Sequence, residues 1–115
     1  MSEAMLARCR IQSAKEERVR AWFAELRERE DEVVETLQHE GVYTETGFVA
    51  SFDDEPYLFV YMEAEDLDAA DEAGDEEAYD IDEEHHAVFA ECLSGEWEEL
   101  DTIGHFTNPA LRAAE

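Results

Sequence analysis

The stretch from Val42 to Glu63, VYTETGFVASFDDEPYLFVYME, constrains this chain more than any other. Two runs rich in β-branched and aromatic residues flank Asp53-Asp54-Glu55-Pro56, a cluster of turn formers. The pattern predicts a β-hairpin with a four-residue loop. On the first strand Thr44, Thr46, Phe48, Ala50 and Phe52 share a face, opposite Tyr43, Glu45, Gly47 and Val49. The second strand puts Leu58, Val60 and Met62 on one side and Tyr57, Phe59, Tyr61 and Glu63 on the other. Both sides are largely apolar, so this strand is expected to be central and covered on both faces.

The flanking segments complete the architecture. Met5 to Ile11 alternates apolar and polar residues as a strand does, with Met5, Ala7, Cys9 and Ile11 on one face and Leu6, Arg8 and Arg10 on the other. Ser13, with Glu16 three residues on, is placed to cap a helix running to Glu40. Its stripe is Val19, Trp22, Phe23, Leu26, Val33, Val34 and Leu37, interrupted at Glu30, where a bend is expected. Gly41 is placed to end it. A short helical stretch follows from Asp66 to Ala73, then a solvated loop to Asp80. Asp82 is placed to cap a second main helix, EEHHAVFAECL, stopped by Ser94-Gly95. Trp97 to Phe106 reads as the last strand. The order β-α-β-β-α-β is that of the ferredoxin-like α+β fold: a four-stranded antiparallel sheet with helices on one face. A single domain is expected, with an ordered core over about residues 5–107 and a tail at 108–115. In a lone domain the second sheet face would leave Phe59 and Tyr61 in water, which packing against a second copy avoids, so a homodimer is predicted.

Charge narrows the function classes. The net charge is −25, and residues 30–111 contain no Lys or Arg, whereas residues 1–29 hold seven of the eight basic residues. With 12 aromatic residues in periodic patterns, this is a folding sequence and not an acidic disordered one. Self-repulsion on this scale opposes compaction in dilute salt and is screened at ~1 M ionic strength, where the Debye length is ~3 Å. Adaptation to a salt-rich cytoplasm is one reading; mimicry of nucleic acid, or an acidic face for a basic partner, is the other. No basic stripe is available for nucleic-acid binding. Met1 to Arg10 lacks the apolar run of a signal peptide, and no segment approaches the ~18 apolar residues of a membrane span, so a cytoplasmic protein is expected. Cys9 and Cys92 are expected to be buried free thiols.

The motifs HEGVY (39–43), YLFVYME (57–63) and IDEEHHAVFAECL (81–93) resemble an uncharacterised prokaryotic domain-of-unknown-function family well represented in haloarchaea. That resemblance implies a dimeric α+β barrel fold, distantly similar to L-rhamnose mutarotases and antibiotic-biosynthesis monooxygenases. The monooxygenases act without a metal or organic cofactor, so no cofactor is expected here.

Two residue groups carry candidate chemistry. His85 and His86, after Asp82, Glu83 and Glu84, place Glu83 and His86 in Glu-x-x-His spacing on one helix face. One such copy is a weak metal signal, so Asp82, Glu83, His85 and His86 are weak metal candidates beside the plainer reading of a solvated helix start with one histidine turned inward to pack. The second group is the open sheet face, where a small-molecule cavity is expected to be bordered by Arg8, Arg10, Glu45, Phe59, Tyr61, Glu63 and Trp97. His105, Tyr61 and Glu63 are the acid/base candidates there. An ion-pair network of Arg8, Arg10 and Glu63 that fixes dimer register is the plainer alternative. Three functions remain open: a small-molecule-binding protein, a cofactor-independent monooxygenase or isomerase, and a non-catalytic protein with an acidic docking face.

Overall fold

The computed structural model describes residues 2–112. Four strands, β1 (Glu3–Ile11), β2 (Val42–Phe52), β3 (Glu55–Ala64) and β4 (Leu93–Glu99), form one antiparallel sheet in the order β2-β3-β1-β4. Helices α1 (Glu16–Glu28), α2 (Glu30–Glu40), α3 (Leu67–Asp75) and α4 (Asp80–Cys92) lie between them in sequence, and a short α5 (Pro109–Arg112) closes the described chain. This is the ferredoxin-like arrangement, with β1 and β3 central. The expected fraying of the tail falls partly on residues 113–115, which lie outside the described residues.

Register assigns every sheet residue to a face. Met5, Ala7 and Cys9 lie opposite Met62, Val60 and Leu58, and Cys9 also lies opposite Trp97. Together with Ile11, these residues face the helices. Of these, Cys9, Ile11, Leu58 and Val60 pack with Val19 and Trp22 of α1 and Ile81, Val88 and Cys92 of α4 into the main core. Gly47 of β2 lets the Phe23 ring approach closely: a β-carbon there would stand 2.7 Å from it.

The local signals are met with four corrections. The hairpin turns on two residues, not four: Asp53 and Asp54 both take left-handed conformations, at φ 52° and 64°, and Phe52 already pairs with Glu55. Such a turn matches the twist of the strands it joins, and Asp tolerates positive φ better than most residues. The long helix divides at Arg29, one residue before the expected bend. There the backbone leaves helical angles while the guanidinium bridges Glu25 of α1, Glu32 of α2 and Glu84 of α4. Ser13 does not cap α1: Lys15 occupies that position, because Gln12 is held by Cys92 O and its own carbonyl accepts from Lys15 N–H. Asp82 lies inside α4, its carboxylate accepting from Tyr79 N–H. Gly41 ends α2 at φ 72°, as its sequence position predicts.

The fourth correction concerns the last strand. β4 begins at Leu93, directly after α4, and ends at Glu99 rather than spanning Trp97 to Phe106. Gly95 adopts φ 88° where the register against β1 shifts, so Ser94-Gly95 marks an irregularity within the strand. Beyond Glu99 the chain still follows β1: Leu100 N–H donates to Leu6 O, and Thr102 Oγ1 donates to Ala4 O. Cys9 and Cys92 are buried free thiols.

Arg8, Lys15, Arg20 and Arg29 are engaged with Glu98, Glu91, Glu16 and the Glu25–Glu32–Glu84 group respectively. Among the described residues, most acids are thus left without a basic partner. We expect the urea midpoint to rise when potassium chloride is raised from about 0.1 M to about 1 M, as the screening length falls from ~10 to ~3 Å. A midpoint that is flat or falling would show that self-repulsion does not limit this fold.

Candidate functional site

The apolar interior is split. Beside the main core, a smaller cluster of Val42, Ala64 and Ala70, with Leu37, Met62 and Leu67 against it, sits under α2 and α3. A cavity of about 550 Å³ lies between the two, lined by Val60 and Ile81 of the first and Ala70, Met62 and Leu37 of the second. Interiors normally pack without voids larger than a water molecule, and even an engineered apolar cavity is only about 150 Å³. The volume instead lies in the roughly 300–1,000 Å³ range of small-ligand sites. Met5, Ala7 and Val60 line it from the sheet, Leu26 and Val33 from the helices, and Phe89 and Trp97 form an aromatic wall. Glu45, Asp68, Asp71, Asp75, His86 and Glu99 are exposed at its margin, so it opens to solvent.

His85 stands on the aromatic wall, its ring 4.1 Å from that of Phe89. Trp22 Nε1–H donates to His85 Nδ1 at 2.9 Å, so a neutral ring carries its proton on Nε2. No side-chain nitrogen or oxygen is both buried and unpartnered among the described residues, and Nε2 has no partner there; it therefore opens to the cavity. Burial, with His86 next to it, lowers the His85 pKa to about 4, which leaves a neutral N–H donor at pH 7.

Glu40 faces this histidine pair from the end of α2. Burial and the neighbouring charges of Glu45 and Asp82 raise its carboxyl to about 7, with His86 acting weakly in the opposite direction. Glu45 is raised by desolvation, although its residue surface is exposed. Both observations fit a side chain that projects into a concavity, where it touches solvent but is surrounded by protein. Neither carboxylate accepts a hydrogen bond among the described residues. Perturbed, unpartnered acids of this kind concentrate at functional sites.

The structure divides the expected sheet-face cavity between two sides. Glu45 and Trp97 face the helices and line the observed cavity, whereas Arg8, Arg10, Phe59, Tyr61 and Glu63 belong to the opposite face. On that face Arg8 lies opposite Phe59 and Arg10 opposite Tyr57, while Glu63 lies opposite Ala4. Arg8 and Glu63 are thus four residues apart along the ladder, about 13 Å at strand rise, and do not meet within one subunit. Arg8 instead pairs with Glu98 and lies 4.6 Å over the Tyr57 ring.

Glu63 and His105 do meet. Ser2 donates its single hydroxyl proton to Glu63 Oε2 at 2.7 Å, so His105 Nε2, 2.9 Å from Ser2 Oγ, acts as the donor in that pair. Glu63 is only 2% exposed. This chain of bonds ties the segment after β4 to the sheet. The metal candidates do not converge: Asp82 accepts from Tyr79, His85 from Trp22, and His86 pairs with Glu77 at 2.9 Å. Among the described residues, no three His, Cys, Asp or Glu side chains form a group that could hold a metal ion.

Sequence reasoning missed Glu40 and took His85 for a weak metal candidate or an inward-packed residue, not for a cavity-lining one. The signal was present in the spacing. Leu26, Val33, Leu37 and Glu40 form one helical stripe, and Ile81, His85, Val88, Phe89 and Cys92 another. In each, a single polar residue occupies an apolar position.

Solved structures share this fold at low sequence identity. An L-rhamnose mutarotase from Formosa agariphila is 14% identical, with a TM-score of 0.60, over 91% of this chain and 99% of that one. A Caulobacter crescentus protein described as an antibiotic-biosynthesis monooxygenase is 17% identical, with a TM-score of 0.57, over 90% of this chain and 91% of that one. A Fusobacterium nucleatum protein described as a monooxygenase is 14% identical, with a TM-score of 0.56; 85% of this chain matches 41% of that longer one. No curated protein matches the sequence. The chain belongs to the family of unknown function DUF6176, whose sequence profile matches residues 2–112.

Proposed function

We propose that this protein is a small cytoplasmic homodimer that binds an organic molecule in the cavity between helices and sheet. One observation carries the reading: the core of a 115-residue domain is divided by a space of about 550 Å³ into which Glu40 and Glu45 project without hydrogen-bond partners, beside His85, whose Nδ1 is held by Trp22 and whose Nε2 is left open. A small domain has little apolar surface to spare, and filling this space would stabilise it. An enzymatic reading of the isomerase or cofactor-independent monooxygenase type draws support from the opposed pair of groups. Glu40 can hold or release a proton near neutral pH, while His85 Nε2–H donates a hydrogen bond to oxygen charge developing on a bound molecule. The fold shared with a mutarotase and with proteins described as monooxygenases is compatible with either chemistry and selects neither. The excess of acids over bases supports a salt-rich cytoplasm as the setting.

The dimer reading rests on the other sheet face. Phe48 and Phe52 are about half exposed there, with Phe52 edge-on to Phe59 and Tyr57 at 5.7 and 6.2 Å. On the segment after β4, Ile103 and Phe106 are 100% and 93% exposed. Apolar surface this extensive marks an interface. Sedimentation in about 1 M potassium chloride, where charge repulsion is screened, is expected to give a dimer, and Phe48→Glu to weaken it at least about tenfold. A monomeric wild type would overturn this part of the proposal.

Gly74 lines the cavity on α3 without a left-handed backbone, and a β-carbon there meets only Glu40, at 3.6–3.9 Å. Gly74→Leu is therefore expected to fill the cavity and leave the fold intact. The neutral dye 1-N-phenylnaphthylamine should fluoresce with the wild type and lose most of that signal with the variant. Equal signal from both proteins would show that the cavity is not the binding site.

The Glu40 carboxyl gives a pH signature. Its folded pKa of about 7 lies above the ordinary 4.5, so its protonation stabilises the fold fully below about pH 4.5, and this contribution is lost as pH rises through 7. Glu40→Gln should accordingly be more stable than wild type above pH 7, by of order 1 kcal/mol once solvent screening of a half-open site is allowed for, and equally stable near pH 4.5. Urea unfolding at both pH values checks this; a constant difference would assign Glu40 an ordinary pKa.

A further inference from the structure

We infer that the cavity takes an organic cation, a primary amine carried on an apolar body, with its ammonium group between Glu40 and Glu45. The inference rests on the cavity being the binding site and adds the chemical class of its occupant.

Charge around the cavity is one-sided. Among the described residues, seven carboxylates line it, no Lys or Arg does, and its two histidines are His85, held neutral by burial, and His86, engaged with Glu77. Glu40 faces Glu45 from β2, Asp82 and His86 from α4, and Asp71 and Asp75 from α3. Such a set repels a carboxylate or phosphate ligand, because a buried charge is tolerated only when it is paired. A neutral ligand would leave Glu40 and Glu45 facing each other uncompensated. A bare divalent ion is disfavoured by the geometry, since the acids and histidines do not form a group that could hold one. A single positive charge supplies what Glu40 and Glu45 lack, an ammonium group having three donors to share between two acceptors.

The rest of the ligand follows from the remaining walls. Val60 and Met62 form the sheet side, and Phe89 and Trp97 the aromatic side with ring centroids 6.0 Å apart. An alkyl or aryl body fits there, and His85 Nε2–H can donate to a hydroxyl or carbonyl oxygen on it. Binding of the cation would favour ionised Glu40 and release its proton, so affinity is expected to fall as pH drops from about 8 to about 5.

Calorimetry and NMR of the His85 and Trp97 rings, at fixed ionic strength, test this with 2-phenylethylamine, hexylamine, 2-phenylethanol, phenylacetate and magnesium chloride alone. We expect at least one amine to bind about tenfold or more tightly than the alcohol, phenylacetate not to bind, and the amine to release protons near pH 7. Gly74→Leu should abolish amine binding, while Glu40→Gln and Glu45→Gln should each bring amine and alcohol to similar affinity. An alcohol that binds as well as the amines, or a failure of both amines to bind, overturns the cation while the neutral dye still reports on the cavity. Amine binding that survives Gly74→Leu places it on the acidic surface and overturns the inference. Magnesium producing the same ring shifts as the amines also does so, by indicating an inorganic cation site.

Discussion

The pairing of β1 with β3 is the constraint on which the rest of the molecule depends. These are the two central strands, and their register fixes in one step which residues turn toward the helices and which away. Because side chains alternate along a strand, a slip of β3 by one residue against β1 would send Leu58 and Val60 to the open face and bring Phe59 and Tyr61 beneath the helices, beside Cys9. The hairpin extends the same register to β2, and β4 inherits it from β1. Helix packing, cavity position and the aromatic outer face all follow from this parity.

Within that frame the protein sets stability against vacancy. The helices cover the sheet completely enough to bury Ile11, Leu58 and Val19, yet α2 and α3 gather over a second small cluster and leave the space between unfilled. Into it the chain directs carboxylates, one of which burial, aided by the charges of its neighbours, raises to about 7. None of this helps the fold. A sequence selected for stability alone would place Leu or Met at position 40 and close the gap, and departures from that pattern are what a binding site requires.

Much of the fold was legible because strand alternation and helical stripes are local signals. The face assignments of Met5 to Ile11 and of both hairpin strands, the stop at Gly41 and the break near Glu30 all follow from them. Other features depend on tertiary context. The two-residue turn required both aspartates to adopt positive φ, which Asp permits without announcing. The start of β4 at Leu93 is set by pairing with Ile11, a long-range contact. For the site, Glu45 and Trp97 were recognised as cavity-lining but assigned to the open face. The parity of the hairpin assigned Glu45 to the same face as Val49, and that face is the one the helices cover. Glu40 and His85 were read as belonging to helix ends, because a lone polar residue on an apolar stripe becomes informative only once the cavity beyond it is seen.

The junction at Cys92 and Leu93 has a mechanical consequence. Helix α4 passes into β4 with no intervening loop, so His85, Phe89 and Trp97 follow one another on a run of chain whose one irregularity, at Ser94-Gly95, lies between pairings with β1 at Leu93 and Trp97. That wall is pinned on both sides of its bend. Helix α3, capped by Asp66 and followed by the short segment 76–79 that includes Glu77 at φ 50°, is bounded at both ends by non-helical backbone. Adjustment to the size of an occupant is therefore confined to the α3 side, and relatives that differ in what they hold should differ in sequence there before they differ along α4.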